Sequence, residues 1–391
     1  MNRAGRSVAE FYPALRLLAG GAGSSGSGLA SEIRRFGEAL RNLQRGLTGD
    51  RVLAGASYFS SADYLGAYLL YYWPVSFVQV FLALEEIDRR GALPPIRKVL
   101  DIGAGPGPAT FAAARFGAKE GRLVDANGDA LQAALRLGKE FGIELETVRK
   151  NLEADDTLEE GAYDLIVACH SANELWKGRD DVIARRASLF GKASSLLAEG
   201  GILLVVEPSA NITGRPALEL RDRLLANNPE LSCVAPCPGS YPCPIAAAGE
   251  GRSCHSTWRW EPDGPVAALA EAAGLDRDSA KATWFALKKS VAPRPPARVD
   301  PAQREGHLVG RIVSEAMLNK AGRVRYIVCT ESGLATLSAK AGDKAAEIAD
   351  FFSLKRGDCI EAESLERRAG EHSFGFVPGA RLTISLKAPE A

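Results

Sequence analysis

The chain has 391 residues, 46% of them apolar, with 48 basic and 48 acidic side chains. That length predicts two or three domains with real cores, and the even charge excludes a global polycation of the kind that coats nucleic acid. Seven cysteines over such a length exclude a disulfide scaffold; clustered thiols are then read as metal ligands in a reducing compartment.

Residues 1–90 read as helical. Leu40, Leu43 and Leu47 share a face, and Phe77, Phe81 and Leu84 recur at helical spacing. Residues 1–98 carry 12 basic and 8 acidic side chains, an asymmetry that fits solvated helix faces better than an anionic partner. No apolar run follows the basic start, and Gly20 to Gly28 is polar, so no secretory signal is expected. A cytoplasmic setting is the expectation; the Arg- and Ser-bearing first 35 residues keep the mitochondrial matrix as the alternative. The uncharged run Tyr64 to Leu84 is long enough for a bilayer. Its tyrosines (64, 68, 71, 72) and Pro74 suit two short buried helices better, and no membrane partner is expected.

A strand–loop–helix unit follows. Lys98 to Ile102 reads as a strand, Gly103, Gly105 and Gly107 as a tight loop, and Ala109 to Phe116 as a helix. Glycine suits a backbone that must approach a ligand closely and adopt positive φ, with the next helix start turned toward that ligand. Further strands are expected at Arg122–Asp125, Leu145–Val148, Tyr163–Ala168 and Gly201–Val206, with helices at Leu131–Phe141 and Val182–Leu197. This alternation means a parallel sheet covered by helices. Asp125 lies 18 residues past the last loop glycine, a spacing that suits an acid on ribose hydroxyls and by itself also permits NAD.

The stretch Val99 to Gly107, an apolar strand, an acid and G-x-G-x-G, resembles the S-adenosylmethionine-dependent methyltransferases of the seven-stranded class. The resemblance runs through Val206-Glu207-Pro208. It implies a cofactor site built from Asp101, Gly103, Ala104, Gly105, Gly107, Asp125, Asn151, His170 and Glu207. Catalytic signals are poor. No Asn/Asp-Pro-Pro-aromatic motif follows the fourth strand; the site reads Cys169-His170-Ser-Ala-Asn173-Glu174-Leu175-Trp176. His170 as a base and Glu174 as an orienting group are weak candidates, and a helix cap with a loop bond is the plainer reading.

Ser209 to Trp260 shows little periodicity and holds Cys233, Cys237, Cys243 and Cys254. Pro-Cys-Pro around Cys237 and Cys243 stiffens the backbone and aims sulfur inward. The gaps of three, five and ten residues are awkward for a zinc ribbon and tolerable for a four-iron cluster; zinc is the alternative. Arg252, Arg259, Trp258 and Trp260 could join phosphate contact to base stacking, or the tryptophans could pack beneath the cysteine loop. Val266 to Ala273 reads as a helix and Ala282 to Leu287 as a strand. Ser290 to Arg298 is a proline-rich linker. Beyond it, strand-like runs at His307–Val313, Arg323–Cys329, Gly333–Leu337, Cys359–Ile360 and Arg381–Leu386 suggest a small β-barrel or sandwich.

The Pro-Cys-Pro pair, the later Cys254-His255, Val-Val-Glu207-Pro-Ser and the distant Val-Cys329-Thr-x-x-Gly resemble the small-ribosomal-subunit methyltransferase-like proteins of mitochondria and many bacteria. That resemblance implies association with the assembling small ribosomal subunit and its rRNA. It also implies a [4Fe-4S] cluster on Cys237, Cys243, Cys254 and Cys329, and an oligonucleotide-binding-like last domain. Spacing alone leaves Cys233 open in place of Cys329, with His255 an outside candidate. Cys169 and Cys359 read as ordinary semi-buried thiols.

The expected fold class is α/β. A helical region (1–90) precedes a Rossmann-like methyltransferase domain (91–290) with a cysteine-rich insertion near 230–260, and a small β domain follows (300–391). The expected function is an S-adenosylmethionine-binding, iron–sulfur factor of small-subunit assembly and translation, monomeric off the ribosome. Alternatives are an active rRNA methyltransferase with a structural cluster, or a zinc-bound interaction protein with an empty cofactor pocket.

Overall fold

Helices α1 (Arg3–Ala9), α2 (Tyr12–Leu18) and α3 (Leu29–Gln44) open the chain, and α3 buries Phe36, Leu40 and Leu43 on one face. The computed structural model describes residues 3–20, 29–54, 58–237, 239–249, 252–262, 264–275, 278–291, 306–370 and 372–388; the proline-rich linker beyond Val291 lies outside them. Helices α4 (Ala62–Ala67) and α5 (Trp73–Arg89) are joined by a π-helical turn, Tyr68–Tyr72. They run on as one helix, not as the two expected. Pro74 falls in the first turn after the wide π turn, where a missing N–H costs least. Every side chain from Trp73 to Leu84 is buried, so this apolar helix is a core helix. It is nonetheless long and apolar enough to cross a membrane by length and composition.

The main sheet is built from β1 (Lys98–Ile102), α6 (Pro108–Ala114), β2 (Glu120–Asp125), α7 (Gly128–Phe141), β3 (Glu144–Arg149), β4 (Tyr163–Cys169), α8 (Val182–Ser195) and β5 (Leu197–Pro208). Then come α9 (Asn211–Asn227), β6 (Leu231–Ala235), α10 (Pro244–Ala247), β7 (Ser256–Arg259), α11 (Gly264–Ala272) and β8 (Ser279–Lys289). The order is β3-β2-β1-β4-β5-β8-β6. Strands β1 to β5 pair in parallel, while β8 runs antiparallel between β5 and β6. One reversed strand, β8, is thus inserted next to last, and β7 extends the sheet on the far edge of β8. Fully buried strands such as β4 and β5 read as continuous apolar runs because helices cover both faces.

The region 209–260 is more regular than expected. Pro216 inside α9 hides its helical pattern. Tertiary packing overrides that local signal: Leu218, Leu220, Leu224 and Leu225 are buried, and Gly214 leaves room for Thr283 of β8.

A second, curled sheet ends the chain: β9 (Leu308–Ile312), β10 (Met317–Leu318), β11 (Arg323–Thr330), β12 (Gly333–Lys340), α12 (Lys344–Ile348), β13 (Cys359–Glu363), β14 (Glu366–Arg367), β15 (Ser373–Gly375) and β16 (Arg381–Leu386). Its order is β14-β15-β12-β11-β9-β13-β16 with β10 beside β11. It wraps its own core, including Tyr326, Val328, Leu337, Phe351 and Phe374.

Candidate functional site

The glycine loop lies at the carboxyl end of β1, where open α/β sheets bind ligands. Gly103, Gly105 and Gly107 all have positive φ (68°, 52° and 78°). At Gly103 a Cβ would collide with Ser171, whose Oγ donates to Ile102 O at 2.6 Å. Asp125, at the end of β2, holds the loop: Gly105 N donates to its Oδ2 and Asn127 N to its Oδ1, each at 2.8 Å. Burial raises its pKa despite these donors. Asp101 is fully enclosed and accepts from Thr110 N and Oγ1 at 3.2 and 2.8 Å, tying β1 to α6. Burial pushes its pKa up to about 7. Ala104 packs under the loop against Leu123, Leu131 and Ala134. Asn151 sits exposed past β3, its Oδ1 accepting from Glu153 N.

The crevice is roofed by the N-terminal region. The Phe59 ring lies 3.7 Å from where a Cβ on Gly105 would stand, and Phe59 stacks edge-on with Tyr68. Tyr58 is pushed well above the usual phenol range by burial, then by Glu174, Tyr68 and Asp125. Trp73 Nε1 donates to Pro106 O at 3.0 Å. None of these roof residues was legible as part of the site, because the contacts span tens of residues.

At the ends of β4 and β5, the polar groups bind one another. Glu207 is 1% exposed; its Oε2 accepts from Asn173 Nδ2 at 2.6 Å and its Oε1 from Asn173 N at 3.1 Å. Burial raises its pKa to about 8. Asn173 in turn accepts from Arg51 Nη2 at 2.7 Å and Arg186 Nη2 at 2.9 Å. Asn173 is therefore the hub, and Arg51 and Arg186 are members that no sequence signal marked. His170 has φ +60°, and its Nε2 lies 2.6 Å from Gln79 Oε1.

The second site lies between the two sheets. Cys237 (after β6), Cys243 (before α10), Cys254 (before β7) and Cys329 (on β11) line one cavity with Arg221, Tyr241 and His255. Cys233 is not among the residues that line it, although its thiol hydrogen-bonds Cys237 and also approaches Ala235 O at 3.6 Å. Pro236, Pro244, Ile245, Leu218 and Trp284 complete an apolar wall. Two buried cations flank the sulfurs. Arg221 donates to Tyr241 O at 3.0 Å and Gly239 O at 2.9 Å, and Arg311 donates to Ser256 Oγ at 2.9 Å. The Cys233 thiol, then Arg221 and Arg311, hold Cys237 low, against its burial. Burial pushes Cys243 to about 12 and raises Cys254 and Cys329. Burial, with Arg356 and Lys281, lowers His255 to about 4, which keeps it neutral. Cys169 is half-buried at the end of β4, and Cys359 lies 3.6 Å from Arg90 Nη2.

Four thiols facing one apolar cavity with buried cations fit a thiolate-bound metal group. The sulfurs are not gathered tightly. Among the described residues, the three-ligand set whose atoms lie within 4.8 Å of one another is His307, Glu361 and Glu363, not a cysteine set.

Trp258 and Trp260 are 1% and 2% exposed, and Trp258 packs 6.0 Å from the Trp284 ring. They belong to the core, which agrees with the packing alternative and not with base stacking. Arg259 is exposed and paired with Glu261 at 2.7 Å.

A family model described as "Mitochondrial small ribosomal subunit Rsm22" matches residues 63–342. Among solved structures, the chain is similar to a ribosomal protein L11 methylase from Lactobacillus delbrueckii subsp. bulgaricus (17% identity, 55% of this chain and 79% of that one, TM-score 0.32). It is also similar to the N-methyltransferase NodS from Bradyrhizobium japonicum WM9 in complex with S-adenosyl-l-homocysteine (11% identity, 64% and 98%, TM-score 0.35). No curated protein matches the sequence.

Proposed function

The chain belongs to the mitochondrial small ribosomal subunit Rsm22 family, and from that premise we propose an assembly and translation factor of the small ribosomal subunit that docks on its rRNA. It binds S-adenosylmethionine at the glycine loop and holds a [4Fe-4S] cluster on Cys237, Cys243, Cys254 and Cys329. We take residues 1–90, 91–290 and 300–391 as its three units, monomeric off the ribosome. Its setting is a bacterial cytoplasm, with the mitochondrial matrix as the alternative that the family's description favours.

The observation that carries this reading is the single cavity walled by three cysteines of the first sheet's loops and one of the second sheet. Tetrahedral zinc with bonds of about 2.3 Å needs its sulfurs about 3.8 Å apart, and among the described residues no three cysteine sulfurs lie within 4.8 Å of one another. When bound, the cluster supplies iron–thiolate bonds that close the cavity. The chain's own part is to exclude water with its proline and tryptophan wall and to offset thiolate charge with Arg221 and Arg311. At the other site, Asp125 keeps lone pairs beyond its two loop bonds, and these can accept ribose hydroxyls. His170 and Glu174 are the weak catalytic candidates that this reading keeps.

Protein purified without oxygen should be brown, with about four irons and matching sulfide per chain. Cys329→Ser should lose the visible absorbance and Cys233→Ser should keep it. One zinc per chain overturns the cluster; the reverse pattern of the two variants overturns the ligand set.

A further inference from the structure

We infer that the outer face of the C-terminal sheet grips the phosphate backbone of rRNA through Arg323, Arg325, Lys340 and Arg368; this rests on the rRNA docking proposed above. Along β11, Tyr326 and Val328 enter the sheet's own core. The alternate residues Ile327 and Cys329 pack instead against the cysteine loops. By the period of two, Arg325 and Arg323 continue that outer face away from the cavity. The pairing register sets Arg323 beside Lys340 of β12, Arg325 beside Ser338, and Ser338 beside Gly375 of β15. Arg368 lies over Gly375, where any Cβ would collide with its Nε. Glycine thus lets a guanidinium lie against the strand and completes a cationic strip across β11, β12 and β15.

These cations are short of partners. Nη1 of Arg323 and Nε of Arg368 are buried with no acceptor among the described residues. Arg325 and Lys340 are exposed, and neither forms an ion pair with a described residue; Glu366 approaches Arg368 at 3.6 Å. On the first sheet's flank, by contrast, Arg122, Lys150, Arg185 and Lys192 all pair with carboxylates. The exposed heads of Arg325 and Lys340, which pair with no described carboxylate, are the donors that an arriving phosphate can complete. Strands about 4.8 Å apart spread the charges along a strip, which suits a run of phosphates better than one small anion. Between the cations the face carries Thr336, Ser338 and Ser373 and no aromatic ring. Phosphate contact without base stacking is the recognition it can supply.

The test measures anisotropy of a labelled oligouridine with the full chain across a salt series. Arg325→Glu/Lys340→Glu changes two exposed residues; Arg136→Glu/Lys139→Glu on α7, also exposed, is the charge-matched control. The first variant should bind at least about tenfold more weakly, with the salt slope shallower by about 1.4, or about 0.7 per lost phosphate contact on a single strand. The control should match the parent. Equal loss in both, an unchanged slope, or a loss seen only on phosphatidylglycerol vesicles overturns the surface. Undiminished co-sedimentation of the first variant with small ribosomal subunits overturns the surface and leaves rRNA docking standing. A parent chain that binds neither RNA nor subunits sinks both.

Discussion

Asp125 shows how one side chain is asked to serve loop and ligand together. Its carboxylate already accepts from Gly105 N and Asn127 N, so its position is set before any ribose arrives. Asp125→Ala removes a charged acceptor and frees the loop. S-adenosylmethionine affinity should fall by about 1.5–3 kcal/mol, roughly 10- to 150-fold. Calorimetry reads this directly, and absence of binding by the parent would end the assignment. Glu207 tests the neighbouring network by pH. Its folded pKa of about 8 lies above the ordinary 4.5, because burial disfavours the charged form. The folded state therefore holds a proton that the unfolded chain has released over this range. The associated stability is full below about pH 4.5 and declines toward pH 8. Urea midpoints across that window should fall for the parent, and less for Glu207→Gln. Identical slopes would mean that the carboxyl is ionised in the fold. Both acids stood out in the sequence as strand-end carboxylates. Gly105, the partner of Asp125, stood out as a loop glycine; Arg51 and Arg186, which hold Asn173 against Glu207, did not, since nothing local announces a contact such as Arg51 to Asn173 across 122 residues.

At the scale of elements, the parallel strands β1, β4 and β5 were legible as apolar runs, and β2 and β3 as short segments between helical patterns. What escaped was α9, whose Gly214 and Pro216 lower its helical signal, and β6 and β7, whose strand character comes from pairing with β8. The same blindness left Trp258 open between the surface and the core. It sits on β7, a four-residue strand, too short to show an alternation by itself. Trp258→Ala should cost about 3–5 kcal/mol of stability, read from denaturant midpoints, while RNA affinity of the folded protein stays unchanged. A neutral stability effect with weakened RNA binding would put the side chain back on the surface.

Across the whole molecule, helix α5 spans the distance between the two sites. Its first residue, Trp73, bonds Pro106 of the glycine loop. Just past its other end, Arg90 bonds Pro236 O beside the cysteines and approaches Cys359, while Arg89 bonds Lys387 O at the end of the last sheet. The long apolar stretch announced buried helix, though as two short pieces, and its role as the strut joining both sheets required the three-dimensional arrangement. The cysteine motifs pointed to a shared site, and Cys237, Cys243, Cys254 and Cys329 do line one cavity. The motifs could not choose between Cys233 and Cys329, because that choice depends on which sulfur faces the cavity.

The cavity's fourth cysteine also imposes an order in time. Seventy-five residues separate Cys254 from Cys329. At about 5–20 residues per second of synthesis, three thiols emerge roughly 4–15 s before the fourth. During that interval the wall contributed by β11 does not exist, and the nascent chain carries an unfinished thiol pocket that its remaining residues must reach and seal.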